Sequence, residues 1–99
     1  MTDNRRDREN AEGLAITALA FVAADPELLA RFLAITGIEA NSIRQAAREP
    51  GFLAGVLQFI AAHEPTLMRF SEESGIPPQQ VSAALRALPF GDEGHDRSA

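Results

Sequence analysis

Apolar side chains recur along this chain at intervals of three and four residues, the period of helices that bury one face. From about Glu9 or Asn10 to Ala24 the inward positions are Leu14, Ala18, Leu19 and Val22. Asp25-Pro26-Glu27 closes that stretch and opens the next. Asp25 can accept hydrogen bonds from free N–H groups as an N-cap, and a proline in the first helical turn sacrifices no donor. The second helix presents Leu28, Leu29, Phe32, Leu33 and Ile35 and stops at Gly37, the residue type that most readily takes a left-handed C-cap. A third covers roughly residues 40–48 and is expected to bury Ile43, Ala46 and Ala47. Glu49-Pro50-Gly51 is the strongest break, and Pro50 there opens a fourth helix that turns Phe52, Leu53, Val56, Leu57, Phe59 and Ile60 inward. A fifth follows His63-Glu64-Pro65, carries Leu67, Met68 and Phe70, and ends at Gly75. The sixth starts at Pro77-Pro78 and buries Val81, Ala84, Leu85 and Leu88. No run alternates with period two for long enough to be a strand, so the pattern predicts an all-α fold of six helices.

The helices come in two sets of three. Laying residues 18–47 over residues 56–85 without gaps gives ten identities in thirty positions, including Arg31-Phe32 over Arg69-Phe70 and Gly37-Ile38 over Gly75-Ile76. Val22/Ile60, Thr36/Ser74 and Ile43/Val81 are conservative pairs in the same register. This spacing predicts two tandem helix-turn-helix-like units 38 residues apart, covering about residues 9–48 and 49–88 of one helical domain that spans 9–91. One unit of three short helices buries too little to stand alone. The expected solution is a pseudo-twofold bundle with the first and fourth helices at its centre and Phe21, Phe32, Phe59 and Phe70 in a shared core. Residues 1–8 are expected to form a flexible N-terminal segment and residues 92–99, which lack apolar periodicity, a disordered acidic tail.

Composition narrows the classes. Ninety-nine residues at 45% hydrophobic supply one core, and no apolar run is long enough for a membrane span. The first twelve residues lack the apolar centre of a secretory signal, so a cytoplasmic location is expected. With no cysteine, disulfides, thiolate metal sites and cysteine nucleophiles are excluded. All nine basic residues are arginine and the net charge is −5, an unfavourable balance for a protein that relies on neutralising phosphates.

The inventory for catalysis is thin. His63 stands where Asp25 stands in the other unit and reads as a helix-start residue, while His95 falls in the tail. No phosphate-cradling glycine loop, metal-spaced cluster or nucleophile elbow appears, so no enzyme, no cofactor and no metal site are expected. Arg31 and Arg69 recur beside the paired phenylalanines. Glu27 lies four residues before Arg31, and Glu73 lies four after Arg69, so solvated helix pairs are the plain reading and a repeated anion or partner site the sharper one. Gly37-Ile38 with Ile43, and Gly75-Ile76 with Val81, resemble the turn of helix-turn-helix DNA readers. In that reading the third helix shows Asn41, Arg44, Gln45 and Arg48 outward, residue types that read base edges and phosphates, and the sixth shows Gln79, Ser82 and Arg86. Glu39 and Glu49 flank the first set, and the acidic balance weighs against nucleic acid as the partner.

The stretches from Ala18 to Pro26, from Arg31 to Ile38 and from Pro50 to Leu57 together resemble the small alpha-proteobacterial family catalogued as domain of unknown function 3572. Glu39-Ala40 stands where that family's pattern has Asp-Pro, a difference in capping only. The resemblance implies a bacterial, cytoplasmic helical protein and brings no activity or catalytic residue with it. The leading expectation is a non-catalytic protein–protein interaction or adaptor module with an unknown protein partner and no membrane contact. A helix-turn-helix DNA-binding regulator and a small-molecule-binding protein are the alternatives. Each unit offers a helical face that could pair across chains, so a homodimer fits the pattern too.

Overall fold

Helix α1 (Asn4–Ala23) is the axis around which the other helices gather. The computed structural model describes residues 4–89. The chain continues through α2 (Pro26–Thr36), a 3-10 turn (Ala40–Ser42), α3 (Ile43–Ala46), α4 (Phe52–Ala61), α5 (Glu64–Ser74) and α6 (Pro78–Ala87). The described residues are all-helical, as the periodicity predicts, and contain no strand. Helix α1 packs against α2, α4, α5 and α6, and α4 packs against α1, α5 and α6. The buried stripe of α1 is Ala11, Ala15, Ala18 and Val22, with Leu14 and Leu19 only half-buried beside it. Small side chains at the contact shorten the distance between helix axes, which is how one helix accommodates four neighbours.

Helix α1 begins earlier than its apolar pattern indicates. Residues 4–8, expected to be a flexible segment, belong to the helix, and residues 5–10 are all exposed. An exposed turn needs no apolar period, and arginine, which fills three of these five positions, sustains a helix through intrinsic propensity. The expected tail at residues 92–99 lies outside the described residues.

At Ala24 the chain turns and α2 departs at a bend of 111°. Asp25 fixes that corner: its Oδ1 accepts from the backbone N–H of Glu27 at 3.0 Å and of Leu28 at 3.3 Å, and Pro26 opens the helix. Helices α2 and α5 end alike. Gly37 and Gly75 take φ of 78° and 77°, and the hydroxyl one residue before each glycine bridges the helix end. Thr36 Oγ1 donates to the Phe32 carbonyl at 2.8 Å and accepts from the Ile38 N–H at 3.3 Å. Ser74 Oγ does the same with Phe70 at 2.6 Å and Ile76 at 3.1 Å. The Thr/Ser-Gly-Ile sequence is therefore a capping device that absorbs carbonyls left free at a helix C-terminus.

Four phenylalanines tie the two halves together in an exchanging pattern. Phe21 meets Phe70 edge-on with centroids 5.3 Å apart, and Phe59 meets Phe32 edge-on at 5.4 Å. Shifting either pair by 38 residues gives the other pair. Phe32 has a second edge contact, with Phe52 at 5.9 Å.

The third helices break this correspondence. Helix α6 packs on α1 and α4 and buries Val81 and Ala84, with Leu88 buried at its C-cap. Its counterpart, expected as a helix over residues 40–48, is a 3-10 turn followed by four α-helical residues. Two residue differences account for this. Ala47 stands in the place of Leu85 and Pro50 in the place of Leu88, so two apolar anchors are gone, and Pro50 disfavours helical backbone at Glu49. Ile43 and Ala46 are accordingly only half-buried, and Ala47, expected inside, is exposed. Helix α4 starts at Phe52, two residues after Pro50.

Two more expected core positions are outside. Ile35 is 67% exposed on the last turn of α2, beyond the partners that cover Leu28 and Phe32, and Met68 is 46% exposed on the side of α5 away from Phe70. Thr66 takes a buried place on α5 instead.

Candidate functional site

The two repeated arginines meet different fates. Arg69, on α5, is held from three sides. One guanidinium nitrogen, Nη2, donates to Asp25 Oδ2 at 2.7 Å, its Nε lies 3.4 Å from Glu73 Oε2, and its guanidinium carbon sits 5.0 Å from the centre of the Phe21 ring. Asp25 thus divides its labour: Oδ1 caps α2 while Oδ2 holds α5. The hydrogen bond from Arg69, helped by the Leu28 N–H, keeps the Asp25 carboxyl below its ordinary range, and the same bond raises Arg69. Arg69 is a brace between the halves.

Arg31, on α2, has the same neighbours in sequence register but not the same chemistry. The position equivalent to Asp25 is His63, and the position equivalent to Glu73 is Ile35. Arg31 is exposed and makes no ion pair or hydrogen bond among the described residues. The expected pair with Glu27 does not form. His63 is the N-cap of α5, as its place predicts, but its side chain makes no capping bond to the backbone. Its Nδ1 instead lies 2.8 Å from the Oγ1 of the buried Thr66.

Asn41, Arg44, Gln45 and Arg48 all fall on one exposed segment. Asn41 sits on the 3-10 turn, where its Oδ1 accepts from Ser42 Oγ at 3.4 Å, Arg44 and Gln45 are on α3, and Arg48 follows the helix. The outward display expected of these four is present. The recognition helix that was to carry them is not, because α3 has only four residues. On α6, Gln79, Ser82 and Arg86 are exposed as expected. The glycine spacing that suggested a DNA reader has its own explanation in the hydroxyl-bridged caps.

An open groove of about 1130 Å³ runs between α1 and α6, with Arg8, Asn10, Thr17, Gln80 and Arg86 around a floor that includes Ala84. Neither His63 nor the repeated arginines line it. Among the described residues no three histidine or acidic side chains come together as metal ligands, and no single helix is long and apolar enough to cross a membrane.

Sequence reasoning singled out Arg31 and Arg69 but missed what distinguishes them, namely Asp25 as a cross-half partner and Ile35 as an exposed neighbour. The signal was present in the alignment of the halves, where Asp25 lies over His63 and Ile35 over Glu73.

No curated protein and no solved structure matches the chain. The family described as protein of unknown function (DUF3572) matches residues 8–91, which take in all of α2 through α6 and most of α1. The chain belongs to that family.

Proposed function

We propose that this domain, built from two tandem copies of one three-helix unit, is a non-catalytic protein–protein interaction module. The observation that carries this reading is the divergence of the third helices. In the C-terminal half α6 is built into the core against α1 and α4. In the N-terminal half residues 40–46 stay short and present Asn41, Arg44 and Gln45 to solvent, with Arg48 following. Arginine is enriched at protein interfaces because a planar, weakly hydrated cation can be desolvated there at low cost. Affinity capture from a lysate of the source organism, with the Arg44→Ala/Arg48→Ala variant alongside, tests the reading. We expect a partner retained in stoichiometric amount by the wild type and lost with the variant at unchanged melting temperature. No retained protein would overturn it, and equal capture by both would place the partner's contact away from residues 44 and 48.

The DNA-binding alternative rests on the same side chains. Four residues of α-helix span roughly 6 Å, too short to lay three or four side chains along a major groove. A shift of random duplex DNA at low salt that Arg44→Ala/Arg48→Ala abolishes would favour that alternative.

A further inference from the structure

The C-terminal half shows what this arginine position binds when it is satisfied. Arg69 takes one carboxylate across the halves, from Asp25 at 2.7 Å, and one along its own helix, from Glu73 at 3.4 Å. In the N-terminal half the phenylalanine pair is kept, with Phe32 against Phe59 as Phe70 lies against Phe21, but among the described residues Arg31 has no counterpart of the Arg69–Phe21 ring contact. Both carboxylates are gone: His63 occupies the first position and Ile35 the second. The result is an exposed guanidinium with no partner among the described residues, one helical turn from an isoleucine that is 67% exposed. Residues four apart share a helix face, so cation and apolar side chain lie side by side on α2. Glu27, the acid on the other side of Arg31, is not within ion-pair distance of it.

We infer that Arg31 and Ile35 form a docking spot for a partner protein segment that places a carboxylate beside an apolar side chain. The partner's carboxylate takes the role that Asp25 and Glu73 play for Arg69, and its apolar group covers Ile35. This inference deepens the interaction-module reading and rests on it. Charge complementarity selects the partner class. A basic or purely apolar segment leaves Arg31 unmatched, while an acidic segment without an apolar neighbour leaves Ile35 in water. A charge-assisted bond to a planar guanidinium fixes geometry, and burial of the isoleucine adds the non-directional part.

The decisive variant gives the N-terminal half the side chains of the C-terminal half. In Ile35→Glu/His63→Asp both exchanged residues are exposed, and the aspartate is a good helix N-cap, so the fold is expected to hold and its melting temperature checks this. Random twelve-residue peptides are selected by display against the wild-type protein. The winners are then titrated by fluorescence anisotropy against the wild type, the symmetrised variant and Arg31→Ala. We expect winners enriched in a carboxylate three or four residues from Leu, Ile or Phe. Binding should weaken at least tenfold in both variants and fall as salt rises. Winners that bind the symmetrised variant as tightly as the wild type would overturn the docking spot while leaving the module reading in place. Selection that enriches nothing would overturn the docking spot, while partner capture with Arg44→Ala/Arg48→Ala decides the module reading separately. A concentration-dependent dimer that Ile35→Glu/His63→Asp dissolves would also overturn the inference, because the occupant would then be a second copy of this chain.

Discussion

Replacing Phe32 and Phe70 by alanine, one at a time, reads the energetics of the shared core directly, because the two occupy equivalent positions and are equally buried at 1% and 0% exposure. Truncating a buried phenylalanine costs about 3–5 kcal/mol through lost transfer energy and the cavity left behind. An edge-on ring pair adds about 0.5–1.5 kcal/mol beyond burial. Among the described residues Phe70 has one such partner and Phe32 two, at 5.4 and 5.9 Å. We therefore expect Phe32→Ala to cost more than Phe70→Ala by about 0.5–1.5 kcal/mol. Against a total stability of roughly 5–15 kcal/mol for a domain of this size, either variant is severely weakened. The assay is urea unfolding followed by circular dichroism at 222 nm, with midpoints compared at a common slope. Double-mutant cycles on Phe21/Phe70 and on Phe32/Phe59 then isolate the two exchanging contacts. Coupling energies that agree within about 0.5 kcal/mol would match the near-identical geometry. The reasoning fails if Phe70→Ala is the costlier change, or if one cycle couples and the other does not.

Gly37→Ala and Gly75→Ala each force a side chain into left-handed backbone, and an added Cβ would meet no atom within 4 Å at either site. The penalty is purely conformational, about 1–2 kcal/mol in both, and matched losses of melting temperature would show it. Asp25 contributes stability through a pKa held below its ordinary value of 3.8. A depressed carboxyl pKa means that this contribution is whole above about pH 4 and drains as pH falls through the lowered value. Asp25→Asn keeps a capping oxygen but cannot ionise, so the stability gap between wild type and variant should shrink as urea midpoints are followed from pH 5 to pH 2. Backbone amides of residues 43–46 should exchange with deuterium far faster than those of residues 81–87, because α6 is anchored by Val81, Ala84 and Leu88 and α3 has no buried residue. Equal protection would contradict the reason given for the short α3.

Much of this architecture is legible in one sequence because its signals are local. Caps at Asp25, Gly37 and Gly75 act within four residues, and the six helices follow from spacing alone. What the pattern missed depended on distance. Whether Ile35 is covered depends on how far the core reaches along α2, and the helical period cannot tell an end turn from a middle one. The opposite error occurred at α1, where exposed residues 5–8 continue a helix with no apolar mark. The shortness of α3 was readable in principle, since comparison with α6 puts Ala47 and Pro50 where leucines stand. At the candidate site the individual residues were visible and their pairing was not. Asp25 and Arg69 lie 44 positions apart, and only the packing of Phe21 on Phe70 shows that they meet.

The most direct test of the proposed docking face compares equivalent positions inside one molecule. A photo-crosslinking amino acid is placed at position 35 or at position 73, and cells of the source organism expressing each variant are illuminated. We expect a discrete crosslinked band from position 35 that disappears when Arg31→Ala is added, and none from position 73, where the neighbouring Arg69 stays engaged by Asp25 at 2.7 Å. A band from position 73 alone, or the same band from both positions, would contradict the assignment of the binding face to the N-terminal half.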